Sequence, residues 1–68
     1  MIKNIKQYIN KVCDIVMEDG TGAIGKVIKI EKDMNGFEWL IIDYGYGFRI
    51  DKIKSISIVE NPQIYGYF

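Results

Sequence analysis

The side chains most suited to recognition in this chain are aromatic and basic. Trp39 precedes a glycine turn flanked by Tyr44 and Tyr46, and Arg49 follows closely. Tyrosine and tryptophan offer large, rigid contact surfaces to proteins and can also stack on nucleic-acid bases. Arg49 adds a planar guanidinium that can pair with a carboxylate or a phosphate through two hydrogen bonds. These four residues are candidate partner-binding residues; the alternative is that Trp39 fills the core and the tyrosines cover the turn glycines.

Candidates for catalysis are few. The sequence has no histidine, and its single cysteine, Cys13, can form neither an internal disulfide nor a thiolate metal site alone. Cys13 falls on the inward side of an alternating segment, where it behaves as a small hydrophobic residue. No pattern gathers the carboxylates into an apolar pocket. We therefore expect a protein that is not an enzyme, with no catalytic residues, no metal and no cofactor.

Composition limits the chain to one small domain. It has 68 residues, of which 49% are hydrophobic, and its formal net charge is zero. A neutral chain lacks the long-range field that draws basic proteins onto DNA or anionic membranes. No run of about 18 apolar residues is present, and we do not expect the first residues to be a signal peptide. We expect a single domain over residues 1–68, a cytoplasmic location and no membrane partner.

The first residues show helical spacing. Ile2, Ile5 and Ile9 recur at intervals that place them on one face of a short amphipathic helix, predicted over residues 1–11. Lys3 and Lys6 would lie on the opposite, exposed face. These two lysines are therefore further candidate partner-binding residues.

The rest of the chain alternates polar and apolar residues, which is typical of strands. Glycine turns separate the segments, and in the second strand the inward set switches face, from Val27 to Ile28 and Ile30, as expected at a sharp bend. Strands are predicted over residues 12–18, 23–32, 37–44, 48–50 and 54–59. We expect a mainly β fold: a short N-terminal helix (1–11), a five-stranded, strongly bent barrel (12–60) and an aromatic tail (61–68).

Three segments carry a resemblance to a known superfamily. They are Glu18-Asp19-Gly20, Phe37-Glu38-Trp39-Leu40-Ile41-Ile42-Asp43 and Arg49-Ile50-Asp51-Lys52-Ile53-Lys54-Ser55-Ile56-Ser57. With these segments the chain resembles Sm-like small β-barrels, and within them the Rho-binding antiterminators, which inhibit the transcription terminator Rho. The resemblance implies an Sm-like barrel and a role in transcription antitermination. It does not extend to the first dozen residues, where those proteins carry an acidic helix and this chain has lysines.

Three functions remain open at this level, of which the third, a structural protein of a phage or mobile element, is permitted by the small size but indicated by no particular residue. The first is an adaptor or inhibitor that docks on a larger bacterial protein, with Rho or another nucleic-acid machine suggested by the resemblance. The second is an RNA- or single-strand-binding Sm-like module, with a homo-oligomer as one of its forms. The apolar tail, with Ile64, Tyr65, Tyr67 and Phe68, is expected either to fold back on the barrel or to pair with a neighbouring chain.

Overall fold

Five antiparallel strands form one continuous sheet in the computed structural model, which describes residues 4–61. Their order across the sheet is β4-β3-β2-β1-β5. The mainly β fold with five strands is therefore confirmed. The strands are β1 (Val12–Met17), β2 (Gly22–Lys32), β3 (Glu38–Ile42), β4 (Gly47–Arg49) and β5 (Ile53–Ile58).

The three hairpins that join β1 to β4 share one turn geometry. In the β2–β3 turn, the Asp33 N–H donates to Phe37 O (2.9 Å) and the Gly36 N–H donates to Asp33 O (3.1 Å). The same pair of bonds closes the other two turns. Gly20, Gly36 and Gly45 end these three-residue loops at φ of 87°, 87° and 88°. This is a turn followed by a left-handed residue, a position that glycine occupies at little steric cost.

The second strand bends where the sequence predicted a change of face. The pairing of β2 with β3 shifts register between Val27 and Lys29. Val27 is fully buried and Ile30 is half-buried, but Ile28 is 44% exposed. The switch is therefore confirmed, while the inward placement of Ile28 is wrong, because Ile28 is the extra residue of a bulge. The bend lets the first half of β2 pair with β1 and the second half with β3.

The core lies against one face of this bent sheet. Gly25 of β2 is part of the close packing, since a Cβ there would lie 2.6 Å from Cδ1 of Ile42. A side chain at position 25 would force the Ile42 side chain to move. The buried hydrophobic residues are Cys13, Ile15, Val27, Leu40, Ile42, Ile50 and Ile53.

Closure into a barrel is not confirmed. β4 and β5 stand at the two ends of the strand order, and no ladder joins them within residues 4–61. Only three residues form β4, after which the chain enters a 3-10 turn at Ile50–Lys52. This turn carries the chain to β5 while burying Ile50 in the core. So short a strand leaves few backbone groups with which a barrel could be closed.

The predicted N-terminal helix is not found. Between residues 4 and 11 the structure has one 3-10 turn, Ile5–Tyr8. It ends because Ile9 is extended and Asn10 adopts φ of 69°. The Asn10 N–H then donates to Val27 O (2.7 Å) and the Val27 N–H to Lys11 O (3.0 Å), so the segment is held on β2. Ile5 and Ile9 still pack against the core, as their apolar spacing predicted, and Tyr8 packs there as well.

Parts of the sequence predictions lie outside the described residues. Residues 1–3 include Ile2 and the candidate Lys3, and residues 62–68 include the four apolar residues of the tail.

Candidate functional site

The candidate site lies on the outer face of the β3–β4 hairpin. Cross-strand pairing places Trp39 opposite Arg49 and Ile41 opposite Gly47. Leu40 is buried, so its neighbours Trp39 and Ile41 lie on the face turned away from the core. Trp39 is half-buried there rather than inside the core.

Trp39 is held in place from the β2–β3 loop. Its indole N–H donates to Oδ2 of Asp33 (2.8 Å), while Oδ1 of Asp33 accepts the backbone N–H groups of Asn35 (2.8 Å) and Phe37 (3.0 Å). These bonds, the one from Trp39 above all, lower the pKa of Asp33 below its usual value. At neutral pH an ionised carboxylate therefore fixes the position of the indole.

Trp39 also covers the backbone of the neighbouring strand. A Cβ at Gly47 would lie 3.3 Å from Cε3 of Trp39 and 3.0 Å from Cδ1 of Ile41. The aromatic ring and Ile41 thus rest on the side of β4 that lacks a side chain. The absence of a side chain at Gly47 leaves the indole reachable from the free edge of β4.

Arg49 is occupied by partners from its own chain. Its Nε donates to Oδ1 of Asp51 (3.0 Å) and its Nη2 to Oδ2 (2.6 Å). The guanidinium carbon lies 3.8 Å from the ring centroid of Phe37. The hydrogen-bonded ion pair lowers the pKa of Asp51 and raises that of Arg49. The two-bond pairing that the sequence suggested for a ligand is therefore made within the protein.

Two open grooves meet at Trp39. The larger, which we call the β4 groove, has a volume of about 580 Å³ and runs between β4 and the β1–β2 turn. The smaller, of about 400 Å³, lies beside the β2–β3 loop and includes Asp33 and Met34. The β4 groove is lined by Met17, Glu18, Asp19, Thr21, Trp39, Gly47, Phe48, Arg49 and Lys52.

The other described sequence candidates, Tyr44, Tyr46 and Lys6, line neither groove. Tyr44 and Tyr46 are 67% and 65% exposed in the β3–β4 turn, beyond the opposite end of β3 from the Asp33 loop. Lys6 is exposed on the first 3-10 turn and lines neither groove. The structure therefore brings Trp39 and Arg49 together and separates both from the two tyrosines.

Sequence reasoning missed the carboxylates that organise this site. Asp33 precedes Asn35-Gly36, and an aspartate at such a place commonly accepts bonds from the backbone of its own turn. That spacing was a usable signal for Asp33. The pairing of Arg49 with Asp51 had no comparable signal, because it forms where the chain leaves β4 for the 3-10 turn, which the sequence did not specify.

Cys13 is not a reactive group here. It is fully buried, and burial raises the pKa of its thiol to about 11. Within residues 4–61 no three acidic, cysteine or histidine side chains are grouped so as to hold a metal ion. The same residues contain no helix with the length and apolar character needed to cross a bilayer.

Comparisons with known proteins gave no match, whether with protein-family models, with curated proteins or with solved structures.

Proposed function

We propose that this protein is a non-enzymatic adaptor or inhibitor that docks on a larger bacterial protein through the surface around Trp39. The observation that carries the proposal is a partly exposed tryptophan held rigidly between two grooves. Aromatic side chains with fixed orientation lose little entropy on binding and commonly anchor protein interfaces. Phe37, which is 41% exposed beneath Arg49, extends the aromatic surface.

The state of Arg49 favours a protein partner over RNA. A phosphate-binding arginine must present its guanidinium to the ligand, whereas here Asp51 already accepts two bonds from it. Glu18 and Asp19, which line the same groove, would repel a nucleic-acid backbone. The RNA-binding Sm-like module therefore remains the second candidate, supported by the exposed Tyr44 and Tyr46, which could stack on bases.

The likeness to Sm-like Rho-binding antiterminators makes Rho the first target to test. All three segments that carry the likeness contribute to the β4 groove, through Glu18, Trp39 and Arg49 among others. The bend in β2 and the one-turn connection between β4 and β5 also agree with an Sm-like chain. These features support the proposal. A homo-oligomer is expected only for the second candidate, the RNA-binding module.

Affinity capture from a nuclease-treated bacterial lysate tests the proposal. We expect a protein partner to be retained by the wild type and by Asp14→Asn, a change on the exposed side of β1, and to be lost with Trp39→Ala. Purified Rho, added to a termination assay, should then show increased read-through when the wild-type protein is present. Recovery of RNA that salt releases, with no protein partner, would instead support the second candidate.

A further inference from the structure

The β4 strand has an unpaired edge beside the larger groove. Among the described residues β4 is bonded to β3 alone. The Ile42 N–H donates to Tyr46 O across this hairpin, so alternation directs the backbone of Phe48 to β3 and the N–H groups of Gly47 and Arg49 outward. Such an edge is a template for an added strand.

The β4 groove follows this edge along its whole length. All three residues of β4 form one wall, and the β1–β2 turn, with Glu18, Asp19 and Thr21, forms the other. The backbone N–H of Glu18 donates to Lys52 O (2.9 Å), which joins the turn to the segment after β4. A volume of about 580 Å³ falls within the range of sites that hold small ligands or short peptide segments.

The lining provides both apolar contact and an unbalanced charge. Trp39, Phe48 and Met17 supply the apolar surface. The lining carries two acids, Glu18 and Asp19, and two cations, Arg49 and Lys52, and the charge of Arg49 is balanced by Asp51, so the acids exceed the remaining cation by one. The groove is therefore complementary to a segment that carries lysine or arginine.

We propose that the β4 groove binds an extended, basic peptide segment of the partner protein, which adds as a strand to β4. One apolar side chain of the segment packs on Trp39 above Gly47, and a lysine or arginine faces Glu18 and Asp19. This inference rests on the proposed function and specifies the chemistry of its partner. Backbone bonds supply affinity in such complexes, and side chains in alternate positions supply specificity.

Selection from a display library of random short peptides tests the composition. We expect enriched peptides to be extended, with alternating apolar residues and at least one lysine or arginine. Since Trp39 is the only tryptophan, its fluorescence reports binding directly. Glu18→Lys should weaken the selected peptides about tenfold or more, whereas Asp14→Lys, with the same change of charge outside the groove, should leave affinity unchanged. Enrichment of acidic peptides, or equal affinity for both variants, would overturn the proposal.

Backbone methylation tests strand addition itself. Methylating alternate amides of a selected peptide should weaken it about fivefold per lost hydrogen bond, and methylating the intervening amides should not. In an NMR spectrum of the backbone amides, the resonances of Gly47 and Arg49 should shift on peptide binding. Insensitivity to methylation overturns strand addition, and so does self-association of the protein through the same edge. If a partner is captured through Trp39 yet is unaffected by Glu18→Lys, the proposed function stands and this inference fails.

Discussion

The indole N–H of Trp39 donates to the carboxylate of Asp33, with 2.8 Å between Nε1 and Oδ2. The two residues belong to different elements, since Asp33 follows β2 and Trp39 lies in β3. The other oxygen of Asp33 is fixed by backbone N–H groups of the loop. The orientation of the Trp39 ring thus depends on the β2–β3 turn, which lies outside the β3–β4 hairpin.

Replacing Asp33 with asparagine should loosen Trp39. The amide oxygen can accept the loop N–H groups, but the amide nitrogen then faces the indole and cannot accept from it. We expect a lower melting temperature and a tryptophan emission shifted to longer wavelength. Asp14→Asn, on the exposed outer face of β1, serves as the control and should change neither. Unaltered emission of the Asp33 variant would show that the bond does not position the ring.

Lowering the pH should also loosen Trp39, and this change should be reversible. The pKa of Asp33 is lower in the folded protein than its usual 3.8, chiefly because of the Trp39 bond. The stabilisation is therefore complete above the unfolded pKa and is lost as pH falls through the lower, folded value. Tryptophan emission, followed in an acid titration, should stay constant down to about pH 4 and change below it. In Asp33→Asn this transition should be absent, and a transition near neutrality would contradict the assignment.

A side chain at position 25 should destabilise the protein, and less so when Ile42 is shortened. A Cβ at position 25 would lie 2.6 Å from Cδ1 of Ile42, so Gly25→Ala should lower the free energy of unfolding by about 1–3 kcal/mol. Ile42→Val removes Cδ1 and alone should cost about 1 kcal/mol. The double variant should be less destabilised than the sum of the two, as measured by denaturant unfolding. If the two losses of stability are additive, the contact with Cδ1 of Ile42 is not what disfavours a side chain at position 25.

Removing the internal partner of Arg49 should increase affinity for RNA. Asp51→Asn retains at most one of the two bonds to the guanidinium and raises the formal net charge from zero by one unit. We expect oligouridine to bind this variant more tightly than it binds the wild type. The salt dependence of the affinity should be steeper by the equivalent of about one phosphate contact. Glu60→Gln makes the same charge change at an exposed position away from the groove. An equal gain in that control would assign the effect to net charge alone.

The Cys13 thiol should resist alkylation until the protein unfolds. Its pKa of about 11, compared with an ordinary 9.0, leaves about a hundredfold fewer thiolates at neutral pH, and the side chain is fully buried. Iodoacetamide labelling, followed by mass spectrometry, should be slow in buffer and fast in denaturant. Rapid labelling of the native protein would indicate that β1 opens locally.

The strands could be predicted because their signals are local. Alternation in β1 and glycine at the turns set each hairpin without reference to distant parts of the chain. The face switch in β2 was also visible, although identifying Ile28 as the bulged residue required the register with β3. The N-terminal helix failed for a non-local reason: after the 3-10 turn Ile5–Tyr8, hydrogen bonds between Val27 and residues 10–11 hold the chain on β2.

The candidate site was predictable in its residue types but not in its grouping. The chemistry of Trp39 and Arg49 marks both as candidates, and cross-strand pairing makes them neighbours. Tyr44 and Tyr46 were chosen on the same grounds, but the length of β3 separates them from Trp39. The sequence could not predict that Asp51 accepts two hydrogen bonds from Arg49, because this pairing depends on the conformation of the 3-10 turn.

The strand order also determines how this chain must fold. Each of the first three pairings joins neighbours across a loop of three residues, whereas β5 pairs with β1, so that Ile58 meets Cys13 from almost the far end of the described chain. Bringing distant segments together costs more chain entropy than closing a short turn. We therefore expect the pairing of β1 with β5, the first and last strands along the chain, to be the slowest step in folding.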